Sequence, residues 1–278
     1  MQLIYTIEAM QAISSSYPSD TAIGFVPTMG YLHAGHLSLV EQSNEQCDIT
    51  VVSIFVNPTQ FGAGEDLDSY PRDLERDIHL LEKAKVDYVF FPTDQQMYPD
   101  GYKSYIDVLE ITSLYCGASR PGHFRGVATV VAKLVNIVKP DLMFMGEKDY
   151  QQIVVLETML RELNFCTQIV RCPIIRESDG LAMSSRNKYL DPLQRQQALC
   201  LSKALIKTKE LYGQGITDLE TLKAHMQMII DQSGGRTDYI SFADAATLSP
   251  ATAQTQNIRI LIAVYIGKTR LIDNISLN

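Results

Sequence analysis

The five cysteines of this 278-residue chain, Cys47, Cys116, Cys166, Cys172 and Cys200, include no C-x-x-C pair. Their odd number and irregular spacing argue against a disulfide framework and a structural zinc site, and fit reduced thiols in a cytosol. The chain also lacks a basic surplus. Against 32 Asp and Glu there are 24 Lys and Arg, giving a formal charge of -8 and a pI near 5.1. Such a molecule has no overall field to hold a nucleic acid backbone, although a few local cations and helix-end amides can still capture a small anion. No stretch approaches the roughly twenty apolar residues of a membrane span. The start, MQLIYTIEAMQAISSS, carries Glu8 and no basic lead, so it does not read as a secretory signal. Internal repeats and low-complexity tracts are absent. The expectation is a cytoplasmic protein with neither a nucleic acid nor a membrane partner.

What is present is ordinary globular material, 46% hydrophobic and 20% charged. Apolar β-rich runs recur at 22–27, 49–56, 87–91, 142–145 and 168–175. Segments of helical period lie between them, at 35–46, 71–84, 125–139 and 149–163. This alternation predicts an α/β fold, a Rossmann-like doubly wound parallel sheet over residues 1–176 with helices on both faces. After residue 176 the pattern changes. Helices are expected over 192–212 and 218–232, the second opened by Thr217 with Glu220 as a capping box. Three strands follow, the last two joined across Gly267-Lys268. Residues 177–278 thus read as a smaller α+β domain that serves as a lid.

Polar motifs directly after strands bear the chemistry, because open parallel sheets bind ligands at the carboxyl ends of their strands. Pro27-Thr28-Met29-Gly30-Tyr31-Leu32-His33-Ala34-Gly35-His36 lies between the first buried strand and its helix. Free helix amides, two glycines and two histidines three apart make a phosphate site in outline. A strand-to-helix turn with one capping histidine is the plainer reading, and a zinc pair is weaker because no third ligand stands nearby. In Asn57-Pro58-Thr59-Gln60, the proline ends a strand and frees two amide side chains to bind an uncharged polar group, or simply forms a turn. Asp66, Asp68, Tyr70, Arg72 and Asp73 suit magnesium, a ligand or a solvated helix start equally well. Arg120, His123 and Arg125 sit on a glycine-bounded loop as a local cation cluster or as surface solvation. In Gly146-Glu147-Lys148-Asp149-Tyr150-Gln151-Gln152, the glycine allows close approach, the lysine offers a mobile charge, and Gln152 can look back into the same cleft. Met183-Ser184-Ser185-Arg186 is an anion clamp or a serine-rich linker.

Taken together these segments resemble a known family. His33-Ala34-Gly35-His36 is similar to the H-x-G-H signature of the nucleotidyltransferase superfamily, and Ser184-Ser185-Arg186 to its KMSKS-type loop. The longer PTMGYLHAGH, FVNPTQF, RPGHFRGV and GEKDYQQ segments resemble the pantothenate synthetases, the pantoate–β-alanine ligases. The likeness spans most of residues 24–190, while 191–278 matches in length and element order alone. It implies condensation of (R)-pantoate with β-alanine at the expense of ATP, through a pantoyl-adenylate, with release of AMP and pyrophosphate. It also implies a homodimer and ATP used with Mg2+, for which no protein ligand is assigned. His36, His33, Lys148 and Arg186 would act on the phosphates. Met29, Gly30, Tyr31, Leu32, His33, Ala34, Gly35, His36, Gly146, Glu147, Lys148, Asp149, Ile175, Met183, Ser184, Ser185 and Arg186 would form the nucleotide site. Gln60, Gln152 and Asn57 would hold pantoate. An adenylyltransferase and a non-catalytic nucleotide-binding module remain as alternatives. Pyrophosphate–ATP exchange dependent on pantoate separates the first, and AMP release the second.

Overall fold

A computed structural model describes residues 1–252 and 254–277; Ala253 and Asn278, both inside the range expected for the smaller domain, lie outside the described residues. The first part of the chain runs β1 (Gln2–Ile4), α1 (Ile7–Ser16), β2 (Ile23–Thr28), α2 (Ala34–Gln46), β3 (Ile49–Ile54), α3 (Leu74–Lys83), β4 (Tyr88–Phe90), α4 (Asp94–Met97), α5 (Tyr115–Ser119), α6 (His123–Val138), β5 (Leu142–Gly146), α7 (Tyr150–Glu162) and β6 (Gln168–Cys172). The six strands form one sheet in the order β1-β4-β3-β2-β5-β6, and every pairing is parallel.

Alternation along each strand feeds two cores. Phe25, Val51 and Met143 face the layer of α1, α6 and α7, while Val26, Val52 and Phe144 face α2 and α3. All six are essentially inaccessible, and each such side chain contributes about 1.5–3 kcal/mol by leaving water. A sheet clothed on both faces explains why its strands read as unbroken apolar runs. Strand β1 and helix α1 belong to no segment assigned from the sequence. At three residues β1 is too short to show a period, although it extends the sheet edge beside β4.

The remainder comprises α8 (Pro192–Ala198), α9 (Cys200–Gly213), α10 (Leu219–Gln232), β7 (Arg236–Asp244), β8 (Ile258–Ile266) and β9 (Thr269–Ser276). Its strands form a separate antiparallel sheet, β7-β8-β9, which packs with the three helices into its own core. The β8–β9 hairpin turns at Gly267, φ +57°, as its position between two apolar runs predicts.

Two helix expectations need correction. The segment 192–212 is two helices, because the Leu199 amide bonds back to the Gln196 carbonyl at 3.3 Å and tightens the last turn of α8. Helix α10 is capped by Asp218 instead of Thr217. The Asp218 carboxylate accepts from both the amide (2.9 Å) and the hydroxyl (2.5 Å) of Thr221, which a threonine one position earlier does not match.

Candidate active site

The sheet order reverses between β2 and β5. From β2 the chain passes to α2 on one face and from β5 to α7 on the other, so a crevice opens at their carboxyl ends. Two cavities meet there. A wide cleft of about 1090 Å³ separates the parallel sheet from the β8–β9 hairpin, and a deeper chamber of about 240 Å³ reaches down to Met29, His33 and His36. Arg120, His123, Lys148, Asp149, Gln152, Ser184 and Arg186 line both.

After β2 the turn at Gly30 needs a left-handed residue, φ +82°, and a Cβ there would lie 3.0 Å from Ile54 and 3.1 Å from Asp77. The following Tyr31 also has positive φ, 50°. Asp77, buried in α3, holds this strained segment by accepting from the amides of Tyr31 (2.6 Å) and Leu32 (2.7 Å). Burial nevertheless raises the Asp77 pKa above the usual carboxylate value.

His33 caps α2. Its Nδ1 accepts from the Gly35 amide at 3.1 Å, while the Nδ1 of His36 accepts from the His33 amide at 3.3 Å. Both rings are neutral. Burial, with Lys148 nearby, lowers His33 to about 4; burial, His33 and Lys148 hold His36 well below its ordinary value. A neutral imidazole whose Nδ1 accepts carries its proton on Nε2, so each ring offers an N–H donor without taking up charge. The rings lie 4.0 Å apart, too close for two imidazoliums to coexist comfortably.

The other segments gather around this pair. Ser185 Oγ donates to the Tyr31 carbonyl at 3.3 Å, which brings the Ser-Ser-Arg loop against the H-x-G-H turn. That loop is not a free linker. Residues 176 and 182 bridge across a turn at Gly180, the Met183 amide bonds to the Ile175 carbonyl at 2.9 Å, and Asn187 ties Glu177 to Ala182. Arg186 is held by a bidentate pair with Asp66, 2.9 Å on each arm. Met29, Gly146, Lys148, Asp149, Ile175, Met183 and Gln152 all border the deep chamber. Gly30, Tyr31, Leu32 and Ala34 do not line it; they shape the turn behind it, and the Leu32 side chain is buried. Glu147 turns away, with its carboxylate 3.1 Å from Arg259 on β8.

Asn57 is spent on its neighbours. Its Nδ2 donates to Gln60 Oε1 (3.0 Å) and the Gly126 carbonyl (3.1 Å), and its Oδ1 accepts from Tyr98, Thr59 Oγ1 and the Thr59 amide. The geometry makes Asn57 the support of Gln60 and not a free donor. Gln60 Nε2, directed at Met29 Sδ at 3.2 Å, keeps one hydrogen for a ligand. Gly126 permits this closeness, since a Cβ there would stand 2.3 Å from the Thr59 carbonyl oxygen.

Of the two readings left open for 120–125, a local cation cluster or surface solvation, neither describes the whole segment. Arg120 forks onto Glu65 (2.7 and 2.6 Å), and Arg125 faces Asp107 and the Tyr105 ring away from the cleft. His123 donates from Nδ1 to the Gln60 carbonyl at 2.8 Å and accepts at Nε2 from Arg120 at 3.1 Å, a neutral form consistent with burial and Arg120 lowering it to about 4. The group therefore aligns Gln60. Asp77, Glu65, Arg259 and Asn274 were not read from the sequence as site residues; the signal for Arg259 was a lone cation inside the apolar run of β8.

These buried histidines fix a pH response. In the unfolded chain they titrate near 6.5, and in the folded one His33 and His123 do so near 4, so between these limits the unfolded state binds more protons. Their contribution is complete above pH ~6.5 and falls as pH drops, by about 1–2 kcal/mol apiece at pH ~5. Thermal melts across this range should show a declining Tm, and the decline should be shallower in His123→Gln. A flat profile would contradict the neutral assignment.

Ring N–H donors and a lysine converging on a switch-point crevice, beside a helix end whose Gly35 amide is capped by His33, place the chain among the α/β nucleotide-binding proteins. A family model described as pantoate-beta-alanine ligase matches residues 2–276. The chain belongs to that family, whose members are ligases forming an amide bond. It is 51% identical over 278 residues to the pantothenate synthetase of Sulfurihydrogenibium sp. (strain YO3AOP1), covering 99% of each chain, and 52% identical to that of Thermosipho africanus (strain TCF52B), again covering 99% of each. Among solved structures, pantothenate synthetase from Thermus thermophilus superposes with a TM-score of 0.94 at 44% identity, over 100% of this chain and 99% of the other. Pantoate-beta-alanine ligase from Francisella tularensis, complexed with beta-gamma ATP and beta-alanine, gives 0.82 at 38% identity over 100% and 98%.

Proposed function

We propose that this chain condenses (R)-pantoate with β-alanine at the expense of ATP, and that the switch-point crevice is where it does so. The observation that carries the reading is the pair of ε-protonated histidines at the N-terminus of α2, facing Lys148 and the Ser-Ser-Arg loop across one chamber. A carboxylate is a poor acyl donor because oxide is a poor leaving group. Attack by a pantoate oxygen on the α-phosphorus expels pyrophosphate and forms the mixed anhydride. The β-alanine amine, once deprotonated, then attacks the acyl carbon, AMP leaves, and the amide results.

No protein nucleophile is required. Gln60 and Gln152 orient pantoate, with Asn57 holding Gln60 in place, and the backbone near Met29, Gly146 and Ile175 cradles adenosine. His33 and His36 donate from Nε2 to the phosphates, and Lys148, Ser184, Ser185 and Arg186 complete the grip as Arg186 exchanges Asp66 for phosphate oxygen. Positioning and charge stabilisation supply the rate.

Magnesium would enter on the phosphate oxygens, whose charge it neutralises. Among the described residues no three His, Cys, Asp or Glu side chains converge on a metal cage, and a hard ion that keeps its waters and adds one carboxylate needs none. Of the carboxylates lining the cleft, Glu65, Asp66 and Asp273 are each held closely by an arginine, whereas Asp149 is 3.8 Å from Lys148 and half exposed. Asp149 would hold the ion. Residues 177–278 would act as the lid over a body formed by 1–176, in a cytoplasmic homodimer. Among the described residues no helix is long and apolar enough to cross a membrane.

A coupled assay of AMP release tests the reaction. Release that requires ATP, pantoate and β-alanine together is expected. Pyrophosphate–ATP exchange independent of pantoate would point to a different nucleotidyltransferase, and ATP binding without AMP release to a binding module.

A further inference from the structure

The Gly146–Asp149 turn belongs to the parallel sheet by sequence, yet its backbone is fastened from the antiparallel one. Asn274 on β9, 2% exposed, donates one Nδ2 hydrogen to the Glu147 carbonyl and the other to the Lys148 carbonyl, both at 2.9 Å. Its Oδ1 is in turn fixed by Arg259 Nε on β8 at 2.7 Å. Arg259 pairs with Ser276 across the ladder, so it meets Asn274 as a diagonal neighbour on the same face of the sheet. The Arg259 guanidinium lies 4.2 Å above the Tyr150 ring and reaches Glu147 with its remaining arm. Both Nδ2 hydrogens of Asn274 are thereby committed to backbone, and its Oδ1 is engaged by Arg259.

A buried amide whose two donors grip consecutive carbonyls fixes the direction in which the one intervening Cα–Cβ bond leaves the backbone. Here that bond is the one of Lys148, whose side chain lines the chamber. We infer that Asn274, oriented by Arg259, is a positioning residue for Lys148, and that the antiparallel sheet thereby takes part in ATP binding without touching the nucleotide. This rests on the reading of Lys148 as a phosphate ligand given above. Removing the amide frees Lys148 to sample rotamers and backbone positions off the phosphate. Entropy then opposes a contact that was prearranged.

The test is a double-mutant cycle on the full chain, read as the Kd for ATP with magnesium by titration calorimetry, with pantoate binding as the control. Asn274→Ala is expected to weaken ATP about tenfold and leave pantoate within about twofold. In a Lys148→Ala background the same change should cost less than about twofold, because there is no longer a lysine to position. Arg259→Gln, which keeps Asn274 but loses its orienting partner, should follow the same pattern more weakly and replaces Asn274→Ala if that variant fails to melt cooperatively. An unchanged ATP Kd in Asn274→Ala, equal losses for ATP and pantoate, or full additivity with Lys148→Ala would each overturn the inference. Should the unmodified protein fail to bind ATP, the functional reading itself fails. Should it bind ATP, and Lys148→Ala weaken that binding while Asn274→Ala does not, only the positioning role is lost.

Discussion

His36→Ala is expected to slow pyrophosphate–ATP exchange at least ~10²-fold, the scale of losing one donor aimed at developing charge. On the proposed reading the ring would supply Nε2–H to the phosphates, beside the N-cap His33 on the same helix end. The structural cost is small by comparison. Losing the bond from the His33 amide to His36 Nδ1 removes one helix-cap contact, about 1 kcal/mol, so the protein should still melt cooperatively a few degrees lower. Exchange within about threefold of the unmodified protein would end the assignment of the imidazoles to the phosphates. Because the ring is neutral, the loss should be nearly constant from pH ~6 to ~8.

Asp77→Ala has the second large effect, and it falls on stability. The carboxylate satisfies two amides inside a left-handed turn, and orphaned buried amides cost about 1–3 kcal/mol each. Asp77→Asn keeps one acceptor and one amide bond, so denaturant midpoints should fall in the order Asp, Asn, Ala. Activity should fall along with them, because the turn carries His33 and His36. An alanine variant as stable as the parent would show that the turn holds itself.

What was legible in the sequence was local. His33 and His36 sit three apart at a strand-to-helix junction, so their placement follows from α-helix geometry alone, and the buried strands declared themselves as unbroken apolar runs. Their charge state was not legible, because it depends on burial and on Lys148, which arrives from another strand. Asn57 read as an available amide because its neighbours Tyr98 and Gly126 are distant in sequence. Arg120 and Arg186 gave no sign of their pairing for the same reason, since Glu65 and Asp66 are distant in sequence. Asp77 did leave a trace, since it lies three residues after Leu74 and four before Leu81 on the inward stripe of α3, where a carboxylate requires partners. The cap of α10 was ambiguous between adjacent residues that can both accept, and the stronger acceptor took it.

The pairing of arginines with carboxylates around the cleft has a further consequence. Arg186 rests on Asp66, Arg120 on Glu65, Arg176 on Asp273 and Arg259 on Glu147. Each of these guanidiniums is thus matched by a carboxylate, and an anion that approaches one must first displace its partner. Of the four arginines only Arg120 and Arg186 line the deep chamber, so a triphosphate bound as proposed would have two carboxylates, Glu65 and Asp66, to displace.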